Sequence, residues 1–358
     1  MTGLDNGGIE NYLLRFLNHE RAILEKTFVY CKAGKFGQLE DSFRLIPNVT
    51  LIKQRIGYIN IIDHIRLYFF FRKVKPTSIC DFTGDFSGLI LFIGMLSRIP
   101  NRISFYRNSS IRYKSNKLKR YYNNLLNRLT LKYSTQLLSN SYAAIDYFFR
   151  NNSYAKLKFG VIYNGIDSKK FLLEKKSINE DLNIPKNSFI VGHVGRYNSA
   201  KNHNTLIDVA INLCKSNFDI YFILCGNDVK NNLQERVDNE NLHSRILLFN
   251  NYKNIVEVFN SIHCFYFPSI TEGQPNALIE AMISGIPIVA SNIPSILETV
   301  PKNHHSSLID PYDIISAQDK IMNIKENNFE LINPVTIQKM YNADEQFEKF
   351  TKHLIKND

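Results

Sequence analysis

Residues 264–290 read CFYFPSITEGQPNALIEAMISGIPIVA, and the alternation of apolar and polar runs in them indicates the architecture. They predict a buried strand at Cys264–Phe267, a polar loop, a helix at Asn276–Ile283 and a second strand at Ile286–Ala290. Gly285 suits the C-terminal end of the helix, because glycine tolerates the left-handed backbone found there. A strand, a helix and a strand in this order form a unit of a parallel sheet covered by helices.

The same alternation extends over the whole chain. In the second half it predicts strands at Phe189–Gly195, Ile220–Cys225 and Arg245–Phe249, and helices at His203–Cys214, Leu233–Asn241 and Ile255–Ser261. In the first half it predicts strands at Thr27–Lys32, Thr77–Asp81, Arg102–Phe105 and Thr135–Leu138, and helices at Ile9–Asn18, Ile59–Lys73, Phe86–Arg98, Leu118–Tyr133 and Ala143–Phe149. Two Rossmann-like domains fit this pattern better than one large sheet.

A turn signal, IYNGID at residues 162–167, marks the boundary between the two domains. We therefore expect one domain at residues 1–163 and a second domain at 164–333. Residues 334–358 look helical and amphipathic, and we expect this segment to pack back towards the first domain.

Length and composition exclude several classes of protein. The 358 residues, 44% of them apolar, can form two cored domains and are not those of a disordered chain. No apolar run approaches the roughly 20 residues that a membrane-spanning helix needs. The five cysteines are widely spaced without a C-x-x-C pair, and no export leader is apparent, so we expect reduced thiols and a cytoplasmic location.

Charge is distributed unevenly along the chain. Residues 1–160 hold 25 Lys and Arg against 10 Asp and Glu, a balance of +15, whereas residues 161–358 hold 19 against 23, a balance of −4. The stretch 98–132 has ten cations and no acid. Such a basic half can attract nucleic acid, anionic lipid or a phosphorylated substrate, and composition does not choose among them.

The first candidate site is Gly7-Gly8, directly before the first predicted helix. Such a turn lets backbone N–H groups approach an anion, although it can equally be a tight strand-to-helix turn. In a doubly wound sheet, the strand that leads into this turn is usually central. The sequence begins inside the turn, so we expect that the first strand of this domain is missing from it.

Two further candidate sites follow strands of the second domain. Arg196 follows the strand Phe189–Gly195, and Lys201 stands just before a helix, a pairing suited to a diphosphate or to two solvated loop cations. In the string EGQPNALIE, Glu272 lies in a loop and Glu280 lies in the helix that begins at the Gly273–Pro275 turn. Carboxylates accept hydrogen bonds from sugar hydroxyls, while a lone glutamate is more often on a solvated helix face.

The chain resembles the retaining, nucleotide-sugar-dependent glycosyltransferases of family 4, which have GT-B architecture with two Rossmann-like domains facing across a cleft. The resemblance covers nearly the whole chain. It rests on GGIE near the start, IYNGID at the domain junction, GRYNSAKNHNTLI at 195–207 and EGQPNALIEAM at 272–282.

The resemblance implies a role for each matching residue. Glu272 would meet the donor sugar, Glu280 the ribose, and Arg196 with Lys201 the diphosphate as it leaves. The remaining donor-binding residues would be Gly7, Gly8, Gly226, Gly273, Gln274, Pro275 and Asn276. The nucleotide sugar, UDP- or GDP-linked, is a co-substrate, and the family generally needs no cofactor and no metal ion.

The acceptor side departs from the family pattern. Relatives often place a histidine from the first domain near the sugar, but the corresponding stretches here read CDFTGDFSG and ISFYRNSS. Asp85, Tyr106 and Arg107 are the substitutes that we predict for that position.

The resemblance suggests a partner for the basic stretch 98–132. Its residues 111–133 alternate cations with apolar residues at helical spacing, as a helix on an anionic membrane surface does, or as a helix packed on its own sheet can. We expect a saccharide or polyprenyl-diphosphate-linked acceptor at the inner face of the cell membrane, in synthesis of O-antigen, capsule or exopolysaccharide. The alternatives are a degenerate donor-binding homologue, a sugar-nucleotide epimerase of similar architecture and a nucleic-acid-binding protein, although no nucleic-acid-binding signature is present.

Overall fold

The computed structural model describes residues 1–5, 7–57, 60–107, 117–149, 158–173 and 176–355. The chain forms two compact units, the first made of Met1–Gly165 with Ala343–Asp358 and the second of Ile166–Asn342. Strands and helices alternate in both, and all strand pairs of the sheets are parallel. The predicted α/β class with two Rossmann-like domains is confirmed.

The first unit contains two sheets, one of order β1-β2 and one of order β3-β4-β5-β6. Its elements are α1 (Gly8–His19), β1 (Thr27–Cys31), α2 (Glu40–Arg44), β2 (Val49–Lys53), α3 (Ile61–Val74), β3 (Ser78–Asp81), α4 (Gly88–Leu96), β4 (Asn101–Tyr106), α5 (Lys117–Tyr133), β5 (Gln136–Ser139), α6 (Tyr142–Phe149), β6 (Phe159–Val161) and, from the end of the chain, a helix at Ala343–Leu354 that is α15 in chain order. Asn60 begins α3, because its side chain accepts hydrogen bonds from the N–H groups of Ile62 and Asp63. Ile59, the first residue of the helix predicted here, lies outside the described residues.

An apolar cavity of about 960 Å³ lies in the first unit, and residues of both β1 and β3 line it. Beside the end of β1, the Met1 nitrogen donates to the Tyr30 carbonyl at 3.1 Å, and the Lys32 N–H donates to the Met1 carbonyl at 3.0 Å. Met1 thus bonds to the residues on both sides of Cys31, which is the hydrogen-bond pattern of two parallel strands. The expectation of a further first strand stays a prediction.

The second unit has one six-stranded sheet of order β12-β11-β10-β7-β8-β9. Its elements are α7 (Lys169–Leu173), β7 (Phe189–Val194), α8 (His203–Ser216), β8 (Ile220–Cys225), α9 (Val229–Asn239), β9 (Ile246–Phe249), α10 (Ile255–Phe259), β10 (Cys264–Phe267), α11 (Asn276–Ile283), β11 (Ile288–Ser291), α12 (Pro294–Thr299), β12 (Leu308–Ile309), α13 (Ile314–Lys325) and α14 (Pro334–Met340). Helix α8 buries Leu206, Val209, Ala210 and Leu213 in the core, as its predicted apolar face requires.

The single C-terminal helical segment predicted at 334–358 is wrong in one respect. The structure has two helices there, α14 in the second unit and α15 in the first, separated at Tyr341–Asn342. Between the two helices, the Ile166 N–H donates to the Tyr341 carbonyl at 2.8 Å. This bond holds residue 341 beside residue 166, so the helix does not continue through it. Phe347 and Phe350 of α15 then pack on Tyr12 and Phe16 of α1.

None of the helices in the described part of the chain is both long and apolar enough to cross a membrane. All five cysteines are free thiols, and every one except Cys80 is buried.

Candidate functional site

The candidate site lies at the carboxyl ends of β7 and β10, which are neighbours in the sheet of the second unit. The chain passes from β7 to β8 on one side, whereas β10 lies on the other, so the strand order reverses at β7. In open parallel sheets, ligands bind at such a switch point, outside the carboxyl ends of the strands. The loop after β7 carries Arg196 and Lys201, and the loop after β10 carries Glu272.

Lys201 and Glu272 are in direct contact. The Lys201 Nζ lies 2.7 Å from Glu272 Oε1 and 4.3 Å from the centre of the Phe267 ring. Only 16% of the lysine side chain and 13% of the glutamate side chain are exposed. A charge pair so poorly exposed is screened weakly by water, so it can act strongly on a charged ligand.

Backbone hydrogen bonds hold the two loops together. The Ile270 N–H, in the loop after β10, donates to the Ala200 carbonyl, in the loop after β7, at 2.8 Å. The Asn198 side chain accepts from the Lys201 N–H at 3.1 Å and so begins the short 3₁₀ turn at Ser199–Lys201. These contacts fix the positions from which Lys201 and Glu272 meet.

Gly226 has a packing role that explains its residue type. A Cβ atom placed on Gly226 would lie 2.0 Å from the Gly195 carbonyl oxygen, and the Gly195 N–H donates to the Cys225 carbonyl at 2.8 Å. Only glycine therefore allows the ends of β7 and β8 to approach so closely. Its role in binding the donor stays a prediction.

Two buried histidines lie beneath the loop after β7, and sequence reasoning did not select them. His193 Nδ1 lies 2.9 Å from the Tyr266 carbonyl, and the rings of His193 and His203 are 5.2 Å apart. Burial lowers the pKa of His193 well below its usual range. Burial and the nearby Lys201 charge lower the pKa of His203 to about 4, so both rings are neutral at pH 7.

The helix α11 begins where the second loop ends. Pro275 precedes its first residue, Asn276, and Gln274 is buried just before them. The first N–H groups of a helix lack partners within it and carry partial positive charge, so this end favours an anion. Glu280 is half-buried a little more than one turn further along α11, and Gly273 is half-buried in the loop.

Arg196 takes no part in the ion pair of Lys201 and Glu272. Its side chain is exposed, and within the described residues it forms no ion pair. An exposed, unengaged guanidinium remains able to meet an incoming phosphate.

In the first unit, Gly8 is the first residue of α1 and Gly7 precedes it in an extended conformation. The Asn11 side chain donates to the Gly7 carbonyl at 2.9 Å. A Cβ on Gly7 would lie 2.4 Å from Glu10 Oε2, whereas one on Gly8 would meet nothing within 4 Å. The phosphate role of this pair stays a prediction.

The three residues predicted for the acceptor side differ in their surroundings. Tyr106 is buried, and its hydroxyl donates to Asn127 at 3.3 Å. Arg107 is also buried, with its guanidinium carbon 3.8 Å from the centre of the Tyr12 ring and Nη2 2.6 Å from Asn164 Oδ1. Burial lowers the pKa of Arg107 to about 10. Asp85 lies in a 3₁₀ turn, and its side chain is outside the described part of the structure.

A buried ion pair at the ends of β1 and β3 escaped the sequence analysis. Lys32 Nζ lies 2.8 Å from Asp81 Oδ2, and it donates to the Thr83 hydroxyl at 3.0 Å. Burial acts to raise the pKa of Asp81, but the Lys32 ammonium outweighs it and holds that pKa well below its usual range. Lys32 and Asp81 are each the last residue of a predicted strand. Two opposite charges at the carboxyl ends of strands in one domain were the signal that could have revealed the pair.

Among the described residues, no group of three or more His, Cys, Asp or Glu side chains is arranged to hold a metal ion.

Comparisons with known proteins point to glycosyltransferases. The model of the family "Glycosyl transferases group 1" matches residues 174–342. The putative glycosyltransferase EpsF of Bacillus subtilis is 27% identical over 313 residues, 84% of this chain and 79% of EpsF. The UDP-Gal:alpha-D-GlcNAc-diphosphoundecaprenol alpha-1,3-galactosyltransferase of Escherichia coli is 32% identical over 190 residues, 48% of each chain.

The structural comparison concerns the fold. The crystal structure of Anabaena Alr3699/HepE in complex with UDP superposes with a TM-score of 0.80 over 99% of both chains, at 17% identity. The family match covers the unit that carries Arg196, Lys201, Glu272 and Glu280. The chain is therefore a glycosyltransferase of the GT-B fold, and its second unit carries the group 1 glycosyltransferase domain.

Proposed function

We propose that the protein is a retaining glycosyltransferase that moves a hexose or N-acetylhexosamine from a UDP- or GDP-linked donor to a saccharide or lipid-linked saccharide. The product would be a surface polysaccharide such as O-antigen, capsule or exopolysaccharide. The observation that carries this proposal is the contact between Lys201 and Glu272 at the switch point of the sheet. It joins a group suited to a phosphate and a group suited to sugar hydroxyls.

The charges match those of glycosyl transfer. Breaking the bond between sugar and diphosphate leaves positive charge on the anomeric carbon and negative charge on the leaving oxygen. Lys201, Arg196 and the first N–H groups of α11 would stabilise that negative charge, which is usually a large part of catalysis. Glu272 would accept hydrogen bonds from the sugar, and Glu280 would accept them from the ribose.

Because Lys201 is held by Glu272 in the free protein, the donor would meet both residues as a preformed pair. A diphosphate would take part of the lysine's hydrogen-bonding capacity, and the sugar hydroxyls would take part of the glutamate's. Each group would then keep a partner at every stage, which lowers the cost of binding.

In a retaining reaction of this kind, the acceptor hydroxyl attacks the face from which the phosphate leaves. The O–H proton passes to the leaving phosphate oxygen, the new C–O bond forms, and the nucleoside diphosphate departs. No protein base and no metal ion would be required, so chelating agents should leave the rate unchanged.

Relatives support the choice of donor and acceptor. HepE was crystallised with UDP-glucose, and the name of the E. coli relative specifies UDP-Gal and a diphosphoundecaprenol-linked acceptor. We therefore propose a UDP-hexose as the first donor to test and a polyprenyl-diphosphate-linked saccharide as the acceptor. Such an acceptor would place the enzyme at the cytoplasmic face of a membrane.

The stretch 98–132 would contribute to membrane contact. Residues 108–116 lie outside the described part of the chain, and α5 covers the rest from Lys117 onwards. Along α5, exposed residues follow helical spacing at Tyr121, Leu125, Arg128 and Lys132. This combination of apolar and cationic groups suits an anionic surface.

The test is product analysis by NMR with UDP-glucose, UDP-galactose and their N-acetylated forms, each with a saccharide acceptor. A product with the anomeric configuration of the donor supports the proposal, and an inverted product contradicts it. An isomerised nucleotide sugar without release of UDP would indicate an epimerase. Donor binding without any turnover would indicate a degenerate homologue. Lys201→Ala serves as the inactive control.

A further inference from the structure

Helix α3 in the first unit presents an unusual surface to solvent. Four large apolar side chains of this helix, Ile61, Ile62, Ile65 and Phe69, have between 50% and 73% of their surface exposed. Its opposite face packs into the domain through Leu67 and Phe71. The exposed residues are therefore not needed for the fold of the helix, and they form a ridge rather than scattered contacts.

The remaining outward residues of α3 are all cations. The exposed side chains of the helix are those of Ile61, Ile62, Ile65, Arg66, Phe69, Arg72 and Lys73. At 3.6 residues per turn they occupy an arc of about 140°. The acid of this helix, Asp63, is buried and accepts a hydrogen bond from the Gly57 N–H at 2.9 Å, so the arc holds no exposed carboxylate.

We infer that this face of α3, the α3 ridge, inserts into the headgroup region of an anionic lipid bilayer. The inference rests on the proposed function, which places the acceptor at a membrane, and it assigns the residues that reach the bilayer. A helix with a wide apolar arc bordered by Lys and Arg lies in the interface plane, with its apolar side chains among the acyl chains and its cations near lipid phosphates.

The neighbouring helices also carry exposed apolar residues. Helix α4 packs against both α3 and α5. Leu96 at the end of α4 is also exposed, as are Tyr121 and Leu125 of α5. The first 160 residues of the chain, which belong to the same unit, hold 25 Lys and Arg against 10 Asp and Glu, and this positive excess favours an anionic surface.

The absence of tryptophan from the sequence permits a direct test. Phe69→Trp places a single fluorophore on the α3 ridge, and Phe218→Trp places one at a comparably exposed site in the second unit. Each variant is mixed with vesicles of phosphatidylglycerol and phosphatidylcholine in equal parts, or of phosphatidylcholine alone.

We expect the fluorescence of Phe69→Trp to shift to shorter wavelength with the anionic vesicles and to be quenched by brominated lipid. The fluorescence of Phe218→Trp should stay unchanged. An unshifted, unquenched Phe69→Trp in anionic vesicles would overturn the inference, whether the protein stays in solution or binds through another surface.

Substitutions separate the apolar and electrostatic contributions. Ile65→Ser with Phe69→Ser, and separately Arg72→Gln with Lys73→Gln, should each weaken binding to the anionic vesicles about tenfold or more. The matched charge control, Lys302→Gln with Lys339→Gln in the second unit, should bind as the unaltered protein does. Equal binding by all variants would contradict the inference.

Donor turnover without vesicles distinguishes this inference from the proposed function. The α3 variants should turn over UDP-sugar at the unaltered rate, because no residue of α3 belongs to the candidate site. If turnover is absent from every form but vesicle binding depends on α3, the proposed function fails and the docking surface stands. If the protein turns over the donor but vesicle binding does not depend on α3, the docking surface is wrong and the proposed function stands.

Discussion

The ammonium group of Lys201 lies 2.7 Å from the carboxylate of Glu272, although 71 residues separate them in the sequence. The contact exists because β7 and β10 are neighbours in the sheet and each is followed by a loop at the same edge. The Lys201 ammonium also lies over the face of the Phe267 ring, which keeps water from one side of the ion pair.

Removal of the lysine charge should slow the reaction strongly. Lys201→Ala should lower kcat about 10²- to 10³-fold, as loss of one electrostatic contact to a developing negative charge does. The thermal unfolding midpoint should also fall, because Glu272, only 13% exposed, then lacks its counter-ion, so the rate is measured below that midpoint. The measurement is the initial rate of UDP release at saturating donor.

Lys215→Ala is the matched control for that substitution. Lys215 pairs with Glu240 on the exposed surface of the second unit, away from the two loops. Its loss should change kcat by less than about twofold, as exposed ion pairs contribute little. Equal effects of the two substitutions would contradict the role assigned to Lys201.

The close approach of Gly195 and Gly226 should make the second glycine irreplaceable. Gly226→Ala would put a methyl group 2.0 Å from the Gly195 carbonyl oxygen, so the two strand ends must separate. We expect a loss of roughly 1–3 kcal/mol or more, seen as a lower midpoint of thermal unfolding. Gly8→Ala, where the added methyl group meets open space, should unfold at the unaltered temperature. Equal midpoints for both variants would disprove this packing constraint.

Stability should fall in mild acid because of His203. Its pKa is about 4 in the folded protein against 6.5 in the unfolded chain, so below pH 6.5 the unfolded state binds more protons. The folded second unit should therefore lose on the order of 3 kcal/mol between pH 7 and pH 4 from this group alone.

Thermal unfolding between pH 7 and pH 4 measures that loss. His203→Gln should make the unfolding midpoint less sensitive to pH, although His193, also buried, still contributes. His243→Gln, at an exposed position of the second unit, is the matched substitution measured beside it. An unchanged slope in His203→Gln would show that His203 does not titrate as described.

The buried pair of Lys32 and Asp81 should show strong coupling. Asp81→Asn alone leaves a buried ammonium without its counter-ion and should cost about 3–5 kcal/mol. Adding Lys32→Met should recover much of that loss, because no unpaired charge is then buried. A double-mutant cycle on unfolding midpoints checks this, with the exposed pair of Arg44 and Glu40 as the weakly coupled control. Additive effects at residues 32 and 81 would contradict the coupling.

The fold class could be predicted because apolar runs mark buried parallel strands strongly. The weaker elements could not. Strand β2 (VTLIK) carries exposed Thr50 and Lys53 and has no continuous apolar run, and β12 has only two residues. The division between α14 and α15 depends on pairing of Ile166 with Asn342, a contact between distant residues that periodicity does not register.

The candidate site was predictable where a motif brought its residues together along the chain. The sequence placed Arg196 and Lys201 after one strand, Glu272 in the loop after another and Glu280 in the helix that follows. The structure adds that Lys201 and Glu272 touch. His193 and His203 resembled ordinary strand and helix residues, since burial is what makes them unusual. The α3 ridge was hidden for a similar reason, because an apolar run alone does not tell which side chains face water.

The most direct test of the central claim is calorimetric titration of the protein with UDP-, GDP-, ADP- and TDP-sugars. Glu280→Ala and Lys201→Ala are titrated beside it. We predict selective binding of one donor, for which UDP-hexoses are the first choice, and a loss of at least about tenfold in affinity in both variants. Binding that is unaffected by both substitutions, or no binding of any donor by the unaltered protein, would contradict a donor site at the ends of β7 and β10.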